Sequence, residues 1–437
     1  MMTNMLEKRI PIREALKIED GERCNVRGWV YRKRDMAGNI FIILRDSTGI
    51  IQGVLPRNNA SKDLVSLAER IGIEASVEIN GIVKSDKRAP GGKEIQIETL
   101  SLVGESENFP IRGKESIEYL LDIRHLWLRS RKLSAVMKIR DSVLQGLREY
   151  YRRNGWWEVS PPILTQSAVE GGATLFEVNF FGKKAYLSQS AQFYLEVLIY
   201  SLEKVYSLTP SFRAEKSRTR RHLYEYWHME GEAAWFDMKD MMKHVEELTK
   251  SSIKKVLEDR LEELELLKRK TERLELAISS SFPELTYDDA IDRLRKKGVN
   301  IKWGDDIGAD EERILTEYYD TPFFLTMFPK ELKSFYMKTE KDRPEIVLGF
   351  DLEAPEGYGE VVGGSEREDN YERLYRRIVE EGYNPSDYQW YLDLRKYGSV
   401  PHSGYGLGVD RLVTWIAGLD HIRDSIPFPR FRDRIYP

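Results

Sequence analysis

From Arg213 to Arg221 the chain reads Arg-Ala-Glu-Lys-Ser-Arg-Thr-Arg-Arg, five cations in nine residues, with His222 directly after them. An apolar, strand-like segment precedes this run, and a second one with embedded acids follows it. A cationic loop between two strands can hold a polyphosphate, because guanidinium groups meet phosphate oxygens in pairs. Alone, such a run is also consistent with a solvated hairpin. Residues 403–412, Ser-Gly-Tyr-Gly-Leu-Gly-Val-Asp-Arg-Leu, form a glycine-rich strand running into a helix whose first turn carries Arg411. Glycines there are expected to let backbone approach a ligand, and Arg411 adds a second cation. Together the two segments point to phosphate chemistry.

Other chemistries are excluded by what the sequence lacks. Cys24 is the one cysteine, which rules out a disulfide framework or a thiolate zinc site within the chain. The six histidines have no tight metal-ligand spacing. With 68 Lys+Arg against 72 Asp+Glu in 437 residues, the net charge of −4 neither demands nor excludes nucleic acid, since a local patch suffices. No apolar run approaches the ~18 residues of a membrane span, and residues 1–20 lack an apolar signal core, so a cytoplasmic chain with no membrane partner is expected.

The elements that must position these groups follow from periodicity. The first ~105 residues read as three strands, a helix over 61–71 and two more strands, which matches a five-stranded OB barrel, another small β-barrel or sandwich being the alternative. Residues 106–130 read as a linker. Beyond it, 131–154 is helical, 156–164 is a strand interrupted by Pro161-Pro162, and 184–188, 204–209, 228–235, 345–352 and 359–362 read as strands. Their irregular spacing favours a largely antiparallel sheet over a βαβ series. Residues 232–282 lack Gly and Pro and carry helical apolar spacing, with Met238 and Met241 as core. The expected organisation is α+β: an OB-fold over 1–105, the linker, and a catalytic domain over 131–437.

The two cationic segments resemble motifs 2 and 3 of the class II aminoacyl-tRNA synthetases, in the group that handles aspartate, asparagine and lysine. Residues 157–164, Trp-Glu-Val-Ser-Pro-Pro-Ile-Leu, resemble motif 1, with Pro162 as the motif proline of a homodimer interface. An N-terminal OB-fold is the anticodon-binding domain of that group, so the resemblance spans nearly the whole chain. It implies an antiparallel catalytic sheet flanked by helices, with ATP and an amino acid as substrates, tRNA as partner, and Mg²⁺. By the same resemblance, Arg213 grips the α-phosphate, Glu215 accepts from the adenine amino group, and Arg221 with His222 reaches the γ-phosphate. Tyr226 and Arg411 sandwich the adenine beside Gly408. Glu360 holds magnesium, with Asp351 as a second acid. Arg213, Arg411 and Glu360 are thus the expected catalytic residues. Relatives often have Ser where Gly363 stands, so a metal-ligand side chain is absent there.

The amino acid is read from further residues. Residues 187–196, Leu-Ser-Gln-Ser-Ala-Gln-Phe-Tyr-Leu-Glu, resemble the substrate segment, with Gln189 and Gln192 at the ligand. Aspartyl members carry lysine where Leu195 stands and aspartate where Glu230 stands. Glu230 is expected to accept from a side-chain NH₂ and Arg367 to donate to the amide oxygen, a pair that reads a carboxamide and therefore L-asparagine. Glu170, in a mobile loop with Gly171 and Gly172, would bind the α-ammonium. The wording around 169–173, 217–222 and 362–365 is similar to asparaginyl rather than aspartyl members, so tRNA(Asn) is the expected acceptor. In the barrel, the resemblance assigns Phe41 to stacking on the anticodon, Gln52 to reading a base edge and Glu78 as a third reader. Alternatives are an aspartyl or non-discriminating enzyme, a tRNA-independent asparagine synthetase, and a non-catalytic RNA-binding paralogue.

Overall fold

Val26 and Val30 turn inward while Arg27 and Trp29 turn out, the alternation that a half-buried strand imposes. The computed structural model describes residues 9–166, 174–214 and 219–437. The chain divides between Leu120 and Leu121 into two compact units.

In the first unit, β1 (Arg23–Asp35), β2 (Asn39–Arg45), β3 (Ile50–Pro56), β4 (Ser76–Ser85) and β5 (Lys93–Gly104) close into a barrel in the order β1-β2-β3-β5-β4. The β3–β5 pairing is parallel and the others antiparallel. Val26, Ile40, Ile42, Leu44, Ile79 and Val83 fill it and are fully buried. Between β3 and β4 runs the helix Lys62–Arg70, started by Ser61, whose hydroxyl accepts from the Leu64 amide.

The expected linker is not structureless. It carries the helices Ile117–Asp122 and Arg124–Trp127. Arg124 is buried and donates to the carbonyl oxygens of Arg423, Ile426 and Pro427, fixing the second of these helices to the C-terminal part of its own unit.

The second unit contains β6 (Trp157–Glu158), β7 (Leu164–Thr165), β8 (Glu177–Phe180), β9 (Lys183–Leu187), β10 (Lys204–Phe212), β11 (Glu225–Ala234), β12 (Glu284–Thr286), β13 (Phe323–Thr326), β14 (Gly349–Ala354), β15 (Gly359–Glu366) and β16 (His402–Gly408). Eight of them form one sheet in the order β12-β13-β14-β15-β16-β11-β10-β6, antiparallel except at its two margins, where β6–β10 and β12–β13 run parallel. A small sheet, β7-β9-β8, stands apart. The interrupted strand expected over 156–164 is therefore two short strands in different sheets. Pro161 and Pro162 break it, because proline supplies no amide to a ladder.

One face of the large sheet is apolar: Met229 and Ala233 of β11, Phe350 and Leu352 of β14, and Leu407 of β16 are buried. They pack with Val136, Ile139 and Val143 of the helix Arg131–Arg153, with Met241, Met242 and Val245 of Met238–Asp259, and with Leu412 and Val413 of Val409–Ile416. The methionines are core, as their spacing predicts. Because side chains alternate, the opposite face receives His228, Glu230 and Glu232 of β11, Asp351 and Glu353 of β14, and Gly404 and Gly406 of β16. No helix among the described residues is long and apolar enough to cross a membrane.

Candidate functional site

Two adjoining compartments open on that polar face. The first encloses about 560 Å³ and is lined by Arg213, Arg221, His222, Tyr226, Glu360, Gly408 and Arg411, among others. The second encloses about 1040 Å³ and is lined by residues that include Gln192, Leu195, Glu230, Glu232, Lys333, Asp351 and Arg367. Arg213, His228, Glu360 and Gly406 line both, and so mark the seam.

In the first compartment the cations come from two directions. Arg213 follows β10, and its guanidinium lies 5.7 Å from the centre of the Tyr226 ring on β11. Arg411 projects from the first turn of Val409–Ile416 and donates to Glu360 Oε2 at 2.9 Å and to the Glu360 carbonyl at 3.1 Å. Arg221 pairs with Glu312 at 2.6 Å, and Glu312 also accepts from the Glu360 amide at 3.3 Å. Asp410 fixes the frame: it accepts from the Trp227 amide and from Arg140. Glu215 lies outside the described residues, as does Glu170.

Acids gather at the seam through a local irregularity. The β14–β15 register shifts by one residue, so Glu353 faces Glu360 and Asp351 faces Gly363. A bulge of this kind swings Glu360 and Gly363, three apart, onto one face. Burial pushes the Asp351 carboxyl up to about 6, with Lys333 at 2.7 Å pulling it back and Glu360 adding to the rise. Glu353 is pushed well above the ordinary value by burial and by Glu312, Glu360 and Asp351. Burial works the same way on Glu360, but Arg411 and Lys333 outweigh it and hold that carboxyl down at about 2.

A divalent cation fits this donor set. Glu353 Oε2 is buried with no hydrogen-bond partner among the described residues. A Cβ on Gly363 would lie 3.2 Å from Asp351 Oδ1 and 3.3 Å from Glu360 Oε1, so both oxygens converge on the space that the missing side chain leaves. Hard oxygen donors of this kind suit magnesium. The residue type at 363 thus opens space between two acids.

In the second compartment Glu230 is buried on β11. It accepts from the Ser190 hydroxyl and, at 2.8 Å, from the Ala191 amide. Arg367 lies bidentate on Glu232, at 3.0 and 3.0 Å, and donates to Ser365 at 2.7 Å. Two of its five N–H groups are left by these contacts. Leu195 and Gln192 line the wall. Gln189 is different: it is buried and donates to Thr174 at 2.8 Å, and it is not among the residues lining either compartment.

The glycines of β16, of which Gly406 and Gly408 line the compartments, have a second role besides the expected backbone approach to a ligand. A Cβ on Gly404 would overlap the Glu232 carboxylate at 1.7 Å, and one on Gly406 would meet His228 Nε2 at 2.3 Å. They make room for the polar side chains of the neighbouring strand.

On the barrel, Phe41 and Ile43 of β2 alternate with the buried Ile40, Ile42 and Leu44 and therefore point outward. Gln52 pairs with Ile43 and Val54 with Phe41, which places Phe41 and Gln52 on one face. Arg34 lies opposite Phe41 with its guanidinium 5.9 Å from the ring centre. Gln52 donates to Glu94 of β5 at 3.0 Å. Glu78 is elsewhere. It pairs with Arg27, whereas Gln52 connects through Ile43 to Arg32, five residues along β1, or roughly 16 Å at strand rise. Its carboxylate accepts from Asn25 at 2.6 Å and Arg27 at 2.7 Å, contacts that hold its carboxyl below the usual range. Lys33 of β1 donates to the carbonyls of Glu69 at 2.6 Å and Ile71 at 2.7 Å, capping a helix C-terminus.

Sequence reasoning missed Glu94, Glu312, Lys333 and Glu353. Glu353 was reachable, being two residues from Asp351 on one strand face; the other three depend on long-range packing.

Comparison with known proteins gives the same division. Residues 116–432 match the family model of class II tRNA synthetases (D, K and N), and residues 24–103 match that of the OB-fold nucleic acid binding domain. An asparagine–tRNA ligase of Thermococcus kodakarensis is 54% identical over 418 residues, 96% of this chain and 97% of the relative. The asparaginyl-tRNA synthetase of Pyrococcus horikoshii, solved with asparaginyl-adenylate, superposes with a TM-score of 0.95 at 52% identity, over 99% of this chain and 100% of that one. The Entamoeba histolytica enzyme with the same adenylate gives 0.89 at 34% identity, over 99% and 100%.

Proposed function

The chain belongs to the class II aminoacyl-tRNA synthetases of the aspartate, lysine and asparagine group, and we propose that it charges tRNA(Asn) with asparagine through an asparaginyl-adenylate. The observation that carries the choice of amino acid is that Leu195 and Glu230 line the same compartment. An apolar residue stands on one wall and a buried carboxylate on another, while Arg367 is already bidentate on Glu232. Such a pocket accepts a carboxamide NH₂ at Glu230 and an amide oxygen at the remaining Arg367 donors. A second carboxylate would be buried against Glu230, which is costly.

In this reading the amino acid's own carboxylate attacks the α-phosphorus of ATP at the seam. The P–O bond to the leaving group breaks, giving adenylate and pyrophosphate. Arg213, which lines both compartments, meets the α-phosphate, where charge develops in the transition state. Arg411 and Tyr226 flank the adenine, beside Gly408, with Glu215 at its amino group. Arg221 and His222 reach the terminal phosphate. Asp351 and Glu360, with Glu353 behind them, would hold Mg²⁺, which supplies charge neutralisation on the phosphate oxygens. No protein nucleophile is required. Gln192 and Glu170 serve the α-amino end of the substrate; Gln189 supports the segment that leads to the pocket. The tRNA 3′-terminal hydroxyl then takes the acyl group and AMP leaves.

On the barrel, Phe41 stacks on an unpaired base and Gln52 reads its edge. Glu94, beside Gln52, takes the third reading role that the sequence assigned to Glu78. The exposed Trp157 on β6, at the sheet margin, with Ile163 and Leu164 exposed nearby in sequence, supports a homodimer through this edge. Sedimentation at micromolar concentration tests that. ATP–pyrophosphate exchange with asparagine and aspartate side by side tests the substrate.

A further inference from the structure

Behind the second compartment lies a fully buried polar cluster centred on Glu196 of the helix Gln192–Leu202. Arg395 donates to Glu196 at 2.7 Å, the Tyr391 hydroxyl sits 2.9 and 2.8 Å from its two oxygens, and Gln192 Nε2 donates to it at 3.0 Å. His402 Nε2 lies 3.0 Å away, its Nδ1 facing the Val400 carbonyl at 2.7 Å. Ligating atoms of Glu196, Glu232 and His402 all lie within 4.8 Å of one another, a set that by type could take a metal. Each acid already has a cation, however: Arg395 for Glu196 and Arg367 for Glu232. The cluster is a hydrogen-bond scaffold, and one of its members, Gln192, also forms the pocket wall.

That double membership has a chemical consequence. A carboxylate surrounded by donors offers only lone pairs. Burial opposes the Glu196 charge, but Arg395 and His402 outweigh it and keep the group ionised. Gln192 must then turn its NH₂ toward Glu196, since its oxygen there would meet another acceptor. The planar amide points its Oε1 elsewhere. We infer that Glu196 is a positioning residue for amino-acid recognition, holding Gln192 so that its carbonyl oxygen is presented to the α-ammonium of the substrate. This rests on the reading of the second compartment as the asparagine site, in which the carboxamide is taken by Glu230 and Arg367 and the α-ammonium is the remaining donor. Arg395 and Tyr391 keep Glu196 in place, Arg395 also donating to the Glu368 carbonyl at 2.9 Å.

The test compares asparagine with succinamic acid, the same molecule without its amino group, in the full-length enzyme. Pyrophosphate exchange gives KM for asparagine and for ATP, and succinamic acid is used as a competitive inhibitor. For Glu196→Gln we expect KM for asparagine to rise on the order of tenfold, the loss of one charge-assisted hydrogen bond, with KM for ATP and Ki for succinamic acid within about twofold of wild type, because neither uses the ammonium contact. Gln192→Leu should behave alike, and adding Glu196→Gln to it should cost nothing further. Should Glu196→Gln not fold, Tyr391→Phe, which removes one donor from Glu196 and keeps the ring, should give the same pattern at about threefold. Succinamic acid weakening in step with asparagine, or ATP and asparagine KM rising together, would overturn the positioning role. Wild-type enzyme that fails to exchange with asparagine would instead overturn the reading of the pocket.

Discussion

The two compartments meet at Arg213 and Glu360, yet they manage charge in opposite ways. At the seam that the nucleotide side shares, acids crowd one another: Asp351, Glu353 and Glu360 face each other across a bulge, with Glu312 behind. Burial holds Asp351 up to about 6 and pushes Glu353 well above the ordinary carboxylate range. Lys333, Arg411 and Arg221 balance part of that charge, and a bound cation would balance the rest. On the amino-acid side, ions are matched within the protein, Arg367 with Glu232 and Arg395 with Glu196. One half is built to take up charge with its ligand; the other is neutralised beforehand, so a neutral side chain can be told from a charged one. Strong binding of phosphates and fine selection of a carboxamide call for these different electrostatics, which explains why one face of one sheet is divided.

The largest effect should come from breaking the seam. Arg213→Ala is expected to lower the exchange kcat by about 10³-fold, the loss of a charged donor aimed at developing charge. Leaving the asparagine preference over aspartate unchanged would show that the two halves are separable. Next, Leu195→Lys with Glu230→Asp should reverse the matching on the amino-acid side. Asparagine activation should fall by about 10²-fold and aspartate activation should rise; unchanged preference in exchange assays would contradict the account of selection.

The nucleotide side can be probed through protons. Asp351 is raised, so the metal-free fold binds an extra proton between roughly pH 4 and 6 and loses stability as pH rises through that window. Magnesium competes with the same proton. Its affinity, by calorimetry, should therefore increase by about fourfold from pH 5.5 to 7.5, and Asp351→Asn should flatten that dependence. The smallest effects belong to the barrel. Phe41→Ala and Glu94→Gln should raise KM for tRNA by about tenfold with exchange unaffected, while Glu78→Gln, whose partners are Asn25 and Arg27, should leave both unchanged.

Much of this division could be read in the sequence because its carriers are local. The cationic run at 213–221 and the glycine strand at 403–408 each sit in one segment, and alternation placed Phe41 and Gln52 on neighbouring strands before their shared face was known. What escaped was non-local. Glu312 and Lys333 come from loops and a helix whose return to the sheet has no periodic signal. The shift that sets Glu353 against Glu360 is one residue wide, and a period-two pattern cannot announce it. Glu94 and Glu78 both lie on strands with alternating burial; only the barrel's pairing tells which one shares a face with Gln52. The strand expected over 156–164 is interrupted at its two prolines as its sequence implies, but that its two pieces join different sheets has no local signal. The glycines of β16 were noticed for a ligand they approach, whereas their lack of Cβ clears Glu232 and His228 on the next strand.

The central claim is that the buried Glu230 carboxylate on the amino-acid side selects a carboxamide, and ATP–pyrophosphate exchange with asparagine and aspartate in parallel tests it most directly. The account predicts exchange with asparagine and at most about 1% of that rate with aspartate at equal concentration. Comparable exchange with both, or exchange with aspartate alone, would contradict it while leaving the fold and the nucleotide half intact.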